Sequence, residues 1–324
     1  MNPVRHTLKN RNGMEVDLLA SGARIGAVRI PVEGRMLDMI LGYDRIEEYE
    51  TDPFYLGATV GRVCNRINNA SFKLGGQTFS LSRNSGGHCL HGGESGFSAR
   101  QWSFVKPMLS TTEAVLALIS PSGDQGFPGR VCARVRYLLD DDNRLTIEFE
   151  ATSDAPTPIN LCNHAYFHLG ESAVADLGLQ LFASRYLPVE GGIPLTRPQP
   201  VAGSPFDFTS PAWVGERLAN LEHDQLASNS GFDHCYLLSA QHSVSARLRG
   251  RHHGIELEIC TDQPGMQLYT GQYLEPPFRP YQALCLEAQN LPDAINRPDF
   301  PSSLLTPGDL YRRRVSYRFS RTRR

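Results

Sequence analysis

The sequence predicts an all-β protein, one large and mostly antiparallel β domain with few short helices. Three observations carry this expectation. Short runs of apolar and β-branched residues recur along the whole 324-residue chain, helical periodicity is scarce, and 29 glycines and 22 prolines are spread evenly, as many strands joined by many turns require.

Taken in order, residues 44–49 read as a short helix. Strands are expected at 115–119, at 131–139 and at 145–152. The last two are joined by Asp140-Asp141-Asp142-Asn143, a hairpin turn because Asp and Asn side chains bond to nearby backbone. Further strands are expected at 178–182, 255–261, 266–269, 283–287 and 314–319, and a second short helix at 212–221. Residues 188–211 form a long Pro/Gly-rich loop, of the kind that is functional or wrapped over a surface. With no internal repeat, low-complexity tract or linker, residues 1–324 are expected to form a single domain.

Composition excludes several functions. The net charge is −2 with both signs interspersed, which argues against nucleic acid, since phosphate contacts need clustered Lys and Arg. The basic runs Arg312-Arg313-Arg314 and 321–324 read as solvated charge. No apolar run approaches 18 residues, so no membrane span is expected, and the first ten residues lack the apolar core of a secretory signal. Seven widely spaced cysteines without a C-x-x-C pair suit reduced thiols and a cytoplasmic location.

Residues 160–169 are the most informative stretch. At strand period Leu161, Ala165, Phe167 and Leu169 share one face with Asn163, while Cys162, His164, Tyr166 and His168 share the other. The first face seats a strand on a core. The second offers imidazole groups, which exchange protons near neutral pH.

Five further places hold polar residues beside glycines or on strands. Asn65-Arg66 can clamp hydroxyls with a rigid fork of donors. His91-Gly92-Gly93 allows close backbone approach. Asp233-His234 follows Gly231 in a turn. In Pro264-Gly265-Met266-Gln267-Leu268-Tyr269 a turn precedes alternating faces, with Gln267 and Tyr269 together. In Leu284-Cys285-Leu286-Glu287-Ala288-Gln289 a carboxylate interrupts an apolar strand, where it is costly unless paired or facing a cleft, and is therefore a candidate base. His88, Cys89 and His91 fit no zinc spacing, and His164 and His168 lack the helix and intervening Glu of a zinc protease, so no metal is expected.

Together these segments resemble the aldose 1-epimerases, the galactose mutarotases. Gly61 to Ile67, Leu90-His91-Gly92-Gly93, Asn163-His164-Ala165-Tyr166-Phe167, Asp233-His234, Gln263-Pro264-Gly265 with Gln267, Tyr269-Thr270-Gly271, and Leu286-Glu287-Ala288-Gln289 occur in that family's order. The opening segment 8–16, the segments 41–43 and 55–61, and the closing segment 296–311 also fit, so the likeness covers nearly the whole chain. Ala288 stands where the family usually has Thr, Ala165 and His168 where it more usually has Ser and Asn, and the stretch between Leu274 and Ala283 is shorter than typical. These departures bear on substrate preference more than on chemistry.

The resemblance implies a galactose mutarotase-like supersandwich, a large antiparallel β-sandwich with its site in a concave sheet. It implies interconversion of α and β anomers of a free aldohexose such as galactose or glucose, without a cofactor. It assigns the base to Glu287 and the acid to His164, and sugar binding to Asn65, Arg66, His91, Tyr166, Asp233 and Gln267. The expected partner is a small aldose, with the chain a monomer or homodimer. Competing readings are a hexose 6-phosphate 1-epimerase on the same fold, a non-catalytic sugar-binding sandwich, and a glycoside hydrolase. The last needs two carboxylates astride the bond, and would leave His164 without a task.

Overall fold

A computed structural model describes residues 4–195, 197–220 and 222–321. Its largest sheet has nine strands in the order Ser103–Phe104, Glu113–Ser120, Val131–Leu139, Arg144–Ser153, Tyr311–Arg321, Ile255–Thr261, Ala246–Gly250, Leu177–Leu181 and Ala212–Trp213, every neighbouring pair antiparallel. A six-stranded antiparallel sheet runs Tyr166–Phe167, Leu284–Gln289, Gly265–Tyr269, Asp233–Leu237, Arg185–Tyr186 and Gln199–Pro200. Arg5–Lys9, Glu15–Leu19, Arg24–Val32 and Arg35–Asp38 form a third sheet.

Alternation in sequence becomes two faces in space. Val131, Ala133, Val135, Tyr137 and Leu139 are buried while the residues between them are partly exposed. These side chains, with Ile147, Phe149, Leu257, Val315 and Tyr317, share one core with Phe167, Tyr236, Met266, Leu268, Leu284 and Leu286 of the six-stranded sheet. The rings of Phe167 and Tyr317 meet edge to face at 5.2 Å between centroids. The two sheets therefore form a sandwich, and the far face of the six-stranded sheet is left for other work. The turn at 140–143 forms as expected, with Asp140 Oδ1 accepting from the backbone N–H of Asp142 and Arg144.

Several sequence expectations need correction. Residues 44–49 are not α-helical; a 3₁₀ turn spans Ile46–Thr51. In 212–221 only Val214–Leu218 is α-helix, because Ala212–Trp213 is drawn into the edge of the large sheet, and Leu221 lies outside the described residues. A helix at Asp224–Asn229 went unanticipated. The loop 188–211 contains a hairpin, Val189–Glu190 against Ile193–Pro194, and the sheet strand Gln199–Pro200. Arg312 to Arg314 belong to the strand Tyr311–Arg321, with Arg312 paired to Glu150 at 2.6 Å; residues 322–324 lie outside the described residues.

One buried ion pair ties the N-terminal sheet to the loops around the site. Arg24 donates to Asp52 at 2.6 Å and to the carbonyls of Leu56 and Ser98, with both charged side chains withdrawn from solvent. Removing one partner of such a pair strands the other charge. Asp52→Ala is therefore expected to lower the unfolding free energy in urea by about 3–5 kcal/mol. A loss under about 1 kcal/mol, the range of a screened surface pair, would contradict it.

Candidate active site

The outer face of the six-stranded sheet carries the polar residues in two cross-strand rows. Cys235, Gln267 and Glu287 are directly opposed, and Asp233, Tyr269, Cys285 and Tyr166 form the next row. Leu284, Leu286 and Ala288 turn to the core, so period two alone sends Glu287 to the other side.

Glu287 is buried, at 3% exposure. Its Oε1 lies 3.7 Å from His164 Nε2, and its Oε2 accepts from the Cys162 thiol at 3.4 Å. Burial, reinforced by the Asp233 carboxylate, pushes its pKa up to about 8, against the pull of Cys162 and Arg66. Burial acts oppositely on His164, bringing its imidazole down to about 4. The His164 Nδ1 meets the Cys285 thiol at 3.5 Å. Its main chain is pinned on both sides, by His164 N–H to Ala58 and by Gly57 N–H to the His164 carbonyl. Gly57 adopts a φ of +62°, and a Cβ there would lie 1.9 Å from the Ile25 carbonyl, so only glycine fits.

Residues 160–169 divide into faces as expected but not as one strand with an exposed side. Two two-residue strands, Cys162–Asn163 and Tyr166–Phe167, flank His164, and both faces are covered. His168 points elsewhere. It accepts from Gly170 N–H and lines a separate cavity of about 370 Å³ with Arg29, Asp38 and Tyr43.

His91 stands edge-on to His164, with ring centroids 5.2 Å apart. Its Nδ1 accepts from Asn65 N–H, which places the ring proton on Nε2 as a donor. Burial, with His164 and Arg66 adding to it, holds its pKa well below the usual imidazole value. Gly92 packs against the Gly61 carbonyl, where a Cβ would approach to 1.9 Å. Asn65, at a φ of +61°, turns its own side-chain oxygen onto Arg66 N–H. Arg66 Nη1 lies 3.8 Å from Asp233 Oδ2, and Asp233 Oδ1 accepts from Gln267 Nε2 at 2.7 Å. Gln267 Oε1 and Arg66 Nε are buried without a hydrogen-bond partner among the described residues.

These contacts close a ring from Glu287 through His164, His91, Asn65, Arg66, Asp233 and Gln267 back to Glu287. Tyr166 is the exception. It is buried in an apolar wall with Leu41, Leu56, Leu274 and Phe278, its ring 5.1 Å from His164. Tyr55, overlooked as a site residue, packs at 4.7 Å from His91 and 5.7 Å from His164. Its only signal in sequence is its place two residues before Gly57. His88 binds Asn69 N–H and Cys89 joins an apolar cluster, so neither belongs to the ring. His91, His164 and Glu287 do present three ligand-type atoms within 4.8 Å of one another, and imidazole and carboxylate are donors that a divalent cation accepts. The same three groups supply proton donors and acceptors without one.

Residues 4–318 match the aldose 1-epimerase family. The chain belongs to that family. It is 38% identical to the aldose 1-epimerase of Escherichia coli K12, over 97% of this chain and 94% of that one. It is 36% identical to the galactose mutarotase of Mus musculus, over 95% and 91%. A solved aldose epimerase homologue from C. elegans superposes with a TM-score of 0.92 at 30% identity, covering 98% of this chain and 99% of the other.

The Glu287–His164 pair can hold one proton between two groups that each accept or release it. Below a pH of about 4 both groups are protonated, and above about 8 both are deprotonated. For anomer interconversion, kcat/KM is expected to plateau between these limits and fall on either side. A rate that climbs through the upper limit without a break would contradict the pairing.

Proposed function

We propose that this family member interconverts the α and β anomers of a free, uncharged aldohexose such as galactose or glucose, with Glu287 as base and His164 as acid. Glu287 removes the proton of the C1 hydroxyl as the C1–O5 bond breaks and C1=O1 forms. His164 delivers a proton to O5. The open aldehyde turns about C1–C2, O5 attacks the opposite face of C1, and each proton returns by the same route. The observation that carries this reading is the 3.7 Å approach of His164 Nε2 to Glu287 Oε1, with both side chains almost withdrawn from solvent.

In the free protein the shared proton rests on Glu287, because burial favours both neutral forms. The reactive arrangement, carboxylate beside imidazolium, has the same number of protons. The Arg66 charge favours it by pulling the Glu287 pKa down. Around this pair, Arg66 and the Nε2–H of His91 are assigned to steady the reacting oxygens. Asp233, with Gln267 bonded to it, is assigned to grip sugar hydroxyls, since a site built to hydrogen-bond a hydroxyl rejects sugars that lack it. Asn65 acts through the backbone turn that aims Arg66, and Tyr166 as apolar surface behind His164.

A neutral sugar is favoured because Arg66 is the sole cation among the proposed site residues. Arg279, on the loop between Leu274 and Ala283, is exposed and donates to the Ser172 carbonyl. A phosphate ester would need a cluster of cations or backbone amides to offset its charge. The whole chain is taken as one functional unit. The seven free cysteines support work in a reducing, cytoplasmic setting, and no helix among the described residues is long and apolar enough to cross a membrane.

Polarimetry of freshly dissolved α-D-galactose tests the proposal. The wild type is expected to speed the approach to equilibrium, and Glu287→Gln to lower kcat by a factor of roughly 10²–10⁴, or about 3–5 kcal/mol. Retention of most of the activity would remove Glu287 from the base role. In the same assay a preference of about tenfold or more for glucose 6-phosphate over glucose would show a basic pocket and overturn the neutral-sugar reading.

A further inference from the structure

Arg66 is held loosely for a residue that must aim a charge at a reacting centre. Among the described residues its one ion-pair contact, to Asp233, is 3.8 Å long, and its buried Nε has no hydrogen-bond partner. Its guanidinium instead lies against the backbone of Gly192, at the tip of the hairpin formed by Val189–Glu190 and Ile193–Pro194. A Cβ built on Gly192 would fall 2.6 Å from Arg66 Cζ and Nη1 and 2.7 Å from Nε. That approach is open to glycine alone.

The hairpin is fastened to the sheet that carries the site. Gln225 grips both backbone groups of Val189, accepting its N–H at 2.7 Å and donating to its carbonyl at 3.1 Å. The same Gln225 Oε1 meets His234 Nε2 at 3.1 Å. His234 Nδ1 accepts the backbone N–H of Asp233, so the ring proton sits on Nε2 and points at Gln225. On the other side Arg297 donates to the Pro194 carbonyl at 3.2 Å. Asp233, the partner of Arg66 across the site, is thus linked through His234, Gln225 and Val189 to the surface on which Arg66 rests.

We propose that Gly192 is a positioning residue, the seat that sets the Arg66 guanidinium at the distance from Asp233 that sugar binding and anomer interconversion require. Gly192 touches no reacting atom; it acts through Arg66. The proposal rests on the assignment of Arg66 to the sugar site.

Gly191 supplies the control. It is the adjacent residue of the same tip and also has a positive φ, +57° against +78° at Gly192, yet a Cβ on it would meet nothing within 4 Å. Both alanine variants strain the backbone, and only one displaces Arg66. Gly192→Ala is expected to lower kcat/KM for galactose by on the order of 10–100-fold, the cost of a misplacement near 1 Å. Gly191→Ala should stay within about twofold of the wild type. In an Arg66→Ala background, adding Gly192→Ala should change kcat/KM by less than about twofold, because the group it displaces is gone. Equal effects of Gly191→Ala and Gly192→Ala, or a full additional loss from Gly192→Ala in the Arg66→Ala background, would overturn the seat and leave the sugar-site reading intact. If Arg66→Ala alone leaves kcat/KM unchanged, the assignment of Arg66 fails and the seat falls with it.

Discussion

A carboxyl group in the middle of a strand covered on both faces is the constraint on which the site depends. All six residues of Leu284–Gln289 are buried, and alternate ones belong to the core between the sheets. Leu286 and Ala288, seated in that core, fix the backbone from which the Glu287 side chain projects. Its ionisation must therefore be settled where it stands, by burial against it and by Arg66 and Cys162 in its favour. The raised pKa and the fixed position have the same origin.

The immediate partners of Glu287 and His164 are weak ones. Glu287 has Cys162 and His164 has Cys285, each a thiol at a distance of 3.4 or 3.5 Å. A thiol is a poor donor, so neither group is locked into one protonation state as it would be by a guanidinium or a set of backbone amides. The stronger polar contacts lie further round the ring, where Gln267 bonds Asp233 and Asn65 bonds the main chain of Arg66. The shorter hydrogen bonds lie around Glu287 and His164, and the two groups themselves are touched by the softer ones.

Much of this was legible in sequence because it follows from local period. Glu287 stands out in Leu284 to Gln289 since a strand shows every second residue to one face, and the core face there is wholly apolar. The faces of 160–169 were legible for the same reason. Their burial was not, because it is imposed by segments distant in sequence: Ala58 bonds His164, and Tyr55 and His91 pack on its ring. Likewise His168 follows the period of His164 and Tyr166 yet lies outside the site, in the wall of the cavity with Arg29, Asp38 and Tyr43. The helix expected at 212–221 was overextended because Trp213 pairs with Gly178, a tertiary choice that outweighs local propensity. The approach of Gly192 to Arg66 joins residues 126 positions apart, and no local pattern announces it.

The central claim is that the fold fixes the Glu287 carboxyl where burial raises its pKa. A ¹³C NMR titration of side-chain-labelled glutamate, with Glu287→Gln to assign the resonance, measures this directly. The account predicts a midpoint near a pH of about 8 for the Glu287 carboxyl in the free protein. A midpoint near the ordinary glutamate value of about 4.3 would contradict it.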